Sequence, residues 1–170
     1  MNALFAALLA ASAVLAIPVP GMGVPLTFQV LVVVLIALIV PPSWAALALG
    51  TYLLAGAVGL PVFARAHGGL PVLLGPSGGY LIGFLLGAVA ASWVRARIAA
   101  KQPLMLADVL AAVIVIACSY LVGWLHLMLV TGTGPLAALL GGVVPFVIPD
   151  VLKAIGAVVM APMVRKASGL

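Results

Sequence analysis

Glutamate is absent from this chain, and aspartate occurs only twice, at Asp108 and Asp150. With seven lysines and arginines added, 5% of the 170 residues carry charge, against roughly a quarter in a soluble domain. So few charges cannot cover a water-facing surface. The 67% hydrophobic content and the mean hydropathy of +1.48 point the same way: the surface faces lipid. Cysteine is nearly absent too. Cys118 stands alone in an apolar run, which excludes an intramolecular disulfide and reads as a small buried hydrophobe. No G-x-x-x-x-G-K-[ST] run exists for a nucleotide phosphate. No His/Cys/carboxylate cluster has metal-ligand spacing, and no Ser–His–Asp order is assembled. Neither an enzyme nor a cofactor is expected. The formal charge of +5 lacks the basic stripe on a soluble face that nucleic acid requires, so no nucleic-acid partner is expected either.

What the chain does have is long apolar runs punctuated by proline and glycine. A hydrocarbon core of about 30 Å takes roughly 20 helical residues, with about 17 tolerated. On that measure the sequence predicts a single all-α domain over 1–170, a six-transmembrane-helix integral membrane bundle. The spans fall near 3–17, 26–40, 43–58, 78–94, 106–127 and 147–164. Pro18-Val19-Pro20-Gly21 ends the first, Pro41-Pro42 the second, and Ser43 is a candidate N-cap for the third. The first run lacks a basic n-region, so it reads as a retained span rather than a cleaved signal.

Charge sets the orientation. Arg95, Arg97 and Lys101 lie between the fourth and fifth spans, and Arg165 and Lys166 follow the sixth. The positive-inside rule then predicts a multi-pass cell-membrane protein with both termini cytoplasmic. Three glycine- and proline-rich connections, 18–25, 61–77 and 126–145, gather on the outer side. Irregular backbone is tolerated at such depth where it lines a cavity, so an externally facing pocket is expected.

The strongest chemical signal is Pro145-Phe146-Val147-Ile148-Pro149-Asp150-Val151-Leu152-Lys153. Pro149 suits a first helical turn, which places Asp150 in that turn and Lys153 on the same face one turn on. Two readings are open: a self-neutralising pair whose lysine snorkels outward, or a polar clamp in which Asp150 accepts N–H groups and Lys153 donates to oxygen. In Gly75-Pro76-Ser77-Gly78-Gly79-Tyr80, Ser77 is placed to cap the fourth span and Gly78 permits close backbone approach. Tyr80 offers a ring and a hydroxyl; a bare turn with a cap and a binding loop are both compatible. Gln29 is a polar group just inside the second span, for a helix neighbour or a ligand. His67 and His126 read as loop or interface residues at the outer mouth. Asp108 reads as a helix-N-terminal acid paired with Lys101. Ala3, Ala6, Ala7 and Ala10 make a flat stripe on the first span, for internal packing or for a partner subunit.

Three blocks occur in order: Val24-Pro25-Leu26-Thr27-Phe28-Gln29; Gly56-Ala57-Val58-Gly59-Leu60-Pro61-Val62-Phe63-Ala64; and Gly68-Gly69 leading to Leu74-Gly75-Pro76-Ser77-Gly78-Gly79-Tyr80-Leu81-Ile82-Gly83-Phe84. With the final Pro145-Phe146, Asp150 and Lys153, they resemble BioY, the biotin-specific substrate-binding (S) component of energy-coupling factor (ECF) transporters. The resemblance spans nearly the whole chain. It implies a six-helix bundle that captures biotin from outside with high affinity. The implied partners are a transmembrane coupling subunit and two cytoplasmic ATPase subunits, with lipid around. It makes Asp150 and Lys153 the leading substrate-binding residues, with Phe28, Gln29, Ser77, Gly78 and Tyr80 next. Biotin itself is the transported ligand and not a cofactor. The alanine stripe then becomes the docking face for the coupling subunit, with Ala6 and Ala10 leading and Ala3 and Ala7 beside them. Pro149 where the family has glycine, Ser77 where it has threonine, and the polar Arg65 and His67 depart from the pattern. A self-sufficient secondary transporter or facilitator of a small polar solute is the rival function, and a membrane assembly subunit using the alanine stripe is a second.

Overall fold

A computed structural model describes residues 2–17 and 24–168, so residues 18–23 of the expected first connection lie outside the described residues. The described residues form eight α-helices: α1 Asn2–Val14, α2 Gln29–Ile39, α3 Pro42–Ala57, α4 Leu70–Leu74, α5 Gly78–Ala99, α6 Leu104–Thr131, α7 Pro135–Gly142 and α8 Val144–Ser168. A 3-10 turn over Ala64–Ala66 sits between α3 and α4. The protein is all-helical. Three helices, α5, α6 and α8, are long and apolar enough to cross a membrane by length and composition. Their large side chains face outward, as with Leu129 at 84% and Ile148 at 73% exposure, which suits a lipid solvent and not water.

α2 is the centre. Every residue of it except Leu31 is buried, and it packs against α8, α5 and α6. Its Val/Ile-rich stretch is a modest helix former by itself, so burial on all sides is what holds it helical. The prolines at 41 and 42 stop it after Ile39, which leaves late carbonyls without helical partners. Two side chains meet them. Ser92 Oγ donates to Val40 O at 2.6 Å, and Arg165 Nη1 donates to Leu38 O at 3.2 Å.

That end of the bundle is fastened by Asp108, which is 2% exposed. Arg95 Nε lies 2.6 Å from its Oδ1 and Arg165 Nη2 lies 2.9 Å from its Oδ2. The pairing with Lys101 expected from the sequence is therefore corrected. Lys101 is exposed in the turn after α5, whereas Arg95 of α5 and Arg165 of α8 reach the buried carboxylate. Guanidinium forks suit such a shared acid better than an ammonium does.

α5 and α6 form the closest helix pair. Gly83 and Gly87 of α5 lie so near α6 that added Cβ atoms would stand 2.7 Å from Ser119 Cα and 3.1 Å from Val115 Cα. A methyl group at Gly79 would strike the His126 Cβ. This glycine stripe at four-residue spacing is the device by which helices in lipid bring their backbones together.

The helix bounds differ from the expected spans in instructive ways. α6 and α8 run past both predicted ends. α8 begins at Val144, so Pro149 lies inside the helix and Asp150 sits two turns in rather than in the first turn. Pro145, not Pro149, takes the early position where a missing N–H is harmless. The stretches expected as irregular connections hold α4 and α7. Neither expected serine cap forms: Pro41 precedes α3, and Ser77 precedes α5 without a side-chain capping bond.

Candidate functional site

At the end of the bundle opposite Asp108, about 22 Å along α8 from Arg165 at 1.5 Å per residue, lies a cavity of about 60 Å³. Val24, Pro25 and Thr27 form one edge, held by a backbone clip in which Ile17 and Leu26 exchange N–H···O bonds of 2.8 and 3.0 Å. Phe63 and Ala64 form another. Phe63 is fully buried, edge-on to Tyr52 at 5.4 Å, with its ring against Gly56 where no side chain would fit. The turn that presents them is strained: Arg65 and Ala66 have φ of 59° and 56°, a region L-residues rarely adopt. It is closed by Phe63 N–H donating to His67 O at 2.9 Å. Strain of this kind gathers at ligand sites.

The polar wall comes from α8 and α6. Asp150, 5% exposed, accepts from Lys153 Nζ at 2.8 Å through Oδ1 and from Tyr120 Oη at 2.9 Å through Oδ2. Asp150 and Tyr120 line the cavity, whereas Lys153 stands behind the carboxylate, its ammonium 6.0 Å from the Phe28 ring centroid. The buried pair keeps the carboxylate compensated; an isolated one at this depth is costly.

The other sequence-selected residues divide. Gln29, Ser77 and Tyr80 reach the cavity wall with Asp150; Phe28, Gly78 and Lys153 do not line it. Gln29 is committed elsewhere: its Nε2 donates to Tyr52 Oη at 2.8 Å and its Oε1 accepts from Thr27 Oγ1 at 3.0 Å. Tyr80 donates to Gly142 O at 2.7 Å, so its ring and not its hydroxyl is available. Gly78 serves packing, since a Cβ there would collide with the Leu73 carbonyl. His126 lies within α6 and bonds Gly75 O at 3.1 Å, tying the turn before α5 to α6. His67 is exposed, its Nδ1 3.1 Å from Ala64 O. On α1, Ala6 and Ala10 are half-buried against the core beside Phe5 and Leu9, while Ala3 and Ala7 are exposed. Tyr120 and Ser119, both on the cavity wall, were not singled out from the sequence, because nothing in the apolar run of α6 sets one hydroxyl apart until α8 is placed opposite.

Residues 1–169 match the sequence profile of the BioY family. The chain belongs to the BioY family. It is 37% identical over 159 residues to the probable biotin transporter BioY of Pyrococcus horikoshii, covering 94% of this chain and 90% of that one. It is 36% identical over 154 residues to the biotin transporter BioY2 of Lactococcus lactis subsp. cremoris, covering 90% and 81%. The fold is similar to the crystal structure of the S-component for biotin from an ECF-type ABC transporter. That likeness has a TM-score of 0.88 and 24% identity, over 97% of this chain and 88% of the other. In this BioY-family membrane protein the blocks carrying the sequence resemblance, 24–29, 56–64, 74–84 and 145–153, supply most of the cavity wall. They are remote in sequence and adjacent in space.

Proposed function

We propose that the chain captures biotin on the outer side of the cell membrane and serves as the substrate-binding component of an ECF-type vitamin transporter. The observation that carries this reading is the cavity: a wall of Phe63, Phe84, Phe146 and Tyr80 faces the Asp150 carboxylate and the Tyr120 hydroxyl that donates to it. Biotin has the matching halves, an apolar thioether ring with its alkyl chain and, fused to it, a cyclic urea with two N–H groups. On this reading Asp150 takes the urea N–H groups, Lys153 holds the Asp150 carboxylate in place, and Tyr80 packs against the thioether ring. Ser77 stands at the rim, while Gln29 with Thr27 braces the wall, and Phe28 shields Lys153. The cavity admits only a handful of waters at about 10–15 Å³ each, so biotin enters as the 61–77 and 24–28 segments part.

The single domain crosses the membrane six times, through α1, α2, α3, α5, α6 and α8, while α4 and α7 lie in the outer connections. The basic end with Arg97, Lys101 and Lys166 then faces the cytoplasm together with both termini. A transmembrane coupling subunit docks on the exposed alanine face of α1, through Ala3 and Ala7 with Ala6 and Ala10 at its margin, and two cytoplasmic ATPases supply the energy.

Equilibrium binding of labelled biotin to the detergent-purified chain tests the reading. Submicromolar affinity is expected; micromolar or weaker binding would count decisively against it.

A further inference from the structure

Ser119 is 2% exposed and lines the same cavity as Tyr120 and Asp150. The other buried helical serines among the described residues are committed to carbonyls, Ser12 to Leu9 O at 2.7 Å and Ser92 to Val40 O at 2.6 Å. Ser119 Oγ makes no hydrogen bond among the described residues. Its backbone is fixed by the close approach of Gly83. A buried hydroxyl without a partner is costly, and such exceptions in a native site call for an explanation.

The neighbouring polar groups supply one. Ionised Asp150 only accepts. The Tyr120 O–H donates its hydrogen bond to Asp150, which leaves the phenol oxygen able only to accept. The Gln29 amide is anchored by one N–H to Tyr52 and by its oxygen to Thr27, and the Lys153 ammonium is paired with Asp150 and does not line the cavity. The cavity wall is therefore rich in acceptors, and the buried hydroxyl on it that has no partner among the described residues is that of Ser119. We propose that Ser119 donates to the carbonyl oxygen of the ligand's cyclic urea, while Asp150 and Tyr120 accept the flanking N–H groups. The assignment rests on the biotin reading and moves the donor role expected of Lys153 to α6.

Biotin and its thiocarbonyl analogue distinguish this from a packing role. The analogue keeps the rings and both N–H groups but replaces the accepting oxygen with sulfur, a poor acceptor. Affinities of both are measured for the wild type and for Ser119→Ala, full chain, in detergent. Ser119→Ala is expected to weaken biotin roughly tenfold and to shrink the wild-type preference for biotin over the analogue by a similar factor. An unchanged preference overturns the assignment, whether because the variant binds both ligands like wild type or because it loses both equally. Failure of the wild type to bind biotin at all would instead sink the proposed function and take this assignment with it.

Discussion

Asp150 is a residue whose two oxygens are both engaged before any ligand arrives, by Lys153 and by Tyr120. Each oxygen keeps a lone pair for the cavity, so the carboxylate is oriented in advance and little ordering remains for binding to supply. Lys153→Ala leaves a buried carboxylate without its counter-charge, a change that typically costs about 3–5 kcal/mol, or two or more decades in affinity. Asp150→Asn is expected to reach a similar loss. Both variants should insert normally, and titration of purified protein with labelled biotin reads the effect. Wild-type affinity in both would remove the pair from the site. Tyr120→Phe keeps the ring and drops one hydrogen bond to a charged group, so a smaller loss is expected, on the order of tenfold. If Tyr120→Phe cost as much as Asp150→Asn, the tyrosine would be the primary ligand contact and not the support.

At the scale of the element, the glycine stripe of α5 sets how near α6 can bring Ser119 and Tyr120 to α8. Gly83→Leu forces α6 away through contact with backbone, and backbone cannot rotate aside. Overpacking of this kind typically costs about 1–3 kcal/mol. A lower unfolding temperature together with weaker biotin binding is expected; loss of binding without loss of stability would point to a local clash only. The sequence showed the composition of this stripe but not its use, because four-residue spacing of small residues occurs on α1 as well, and only packing separates them. α2 illustrates the converse. Its apolar run and its proline stop were legible, and its bounds came within three residues, since local signals at both ends were strong. The ends of α8 were not, because Pro149 reads as a helix start by its own chemistry. Burial among neighbouring helices overrides that preference in lipid. The site divides along the same line. Asp150 and Lys153 stood out as rare charges in an apolar segment, whereas the partner choice of Asp108 and the role of Tyr120 depend on which helices meet.

At the scale of the whole molecule, the two ends of the bundle do different work. The cavity end is built from loops and short helices, and the opposite end is knotted by Arg95, Asp108 and Arg165 around the terminus of α2. Asp108→Asn weakens both ion pairs at once and is expected to lower the unfolding temperature while leaving biotin affinity within a few-fold of wild type. A loss of binding as large as that of Asp150→Asn would mean the two ends are rigidly coupled. On α1, Ala7→Trp alters an exposed face, so biotin binding should survive and uptake in cells carrying the transport ATPases should fall. Equal loss of both would assign Ala7 to internal packing.

Asp150 and Lys153 ride on one helix, one turn apart, so they travel together whatever the surrounding helices do. A positive and a negative charge carried at the same depth cancel in an electric field, where a single charge moved through 100 mV would be worth about 2.3 kcal/mol. The site thus presents no net charge for the membrane potential to act on. Biotin affinity in sealed proteoliposomes is expected to respond to an imposed voltage only through the charge of the vitamin's own carboxylate.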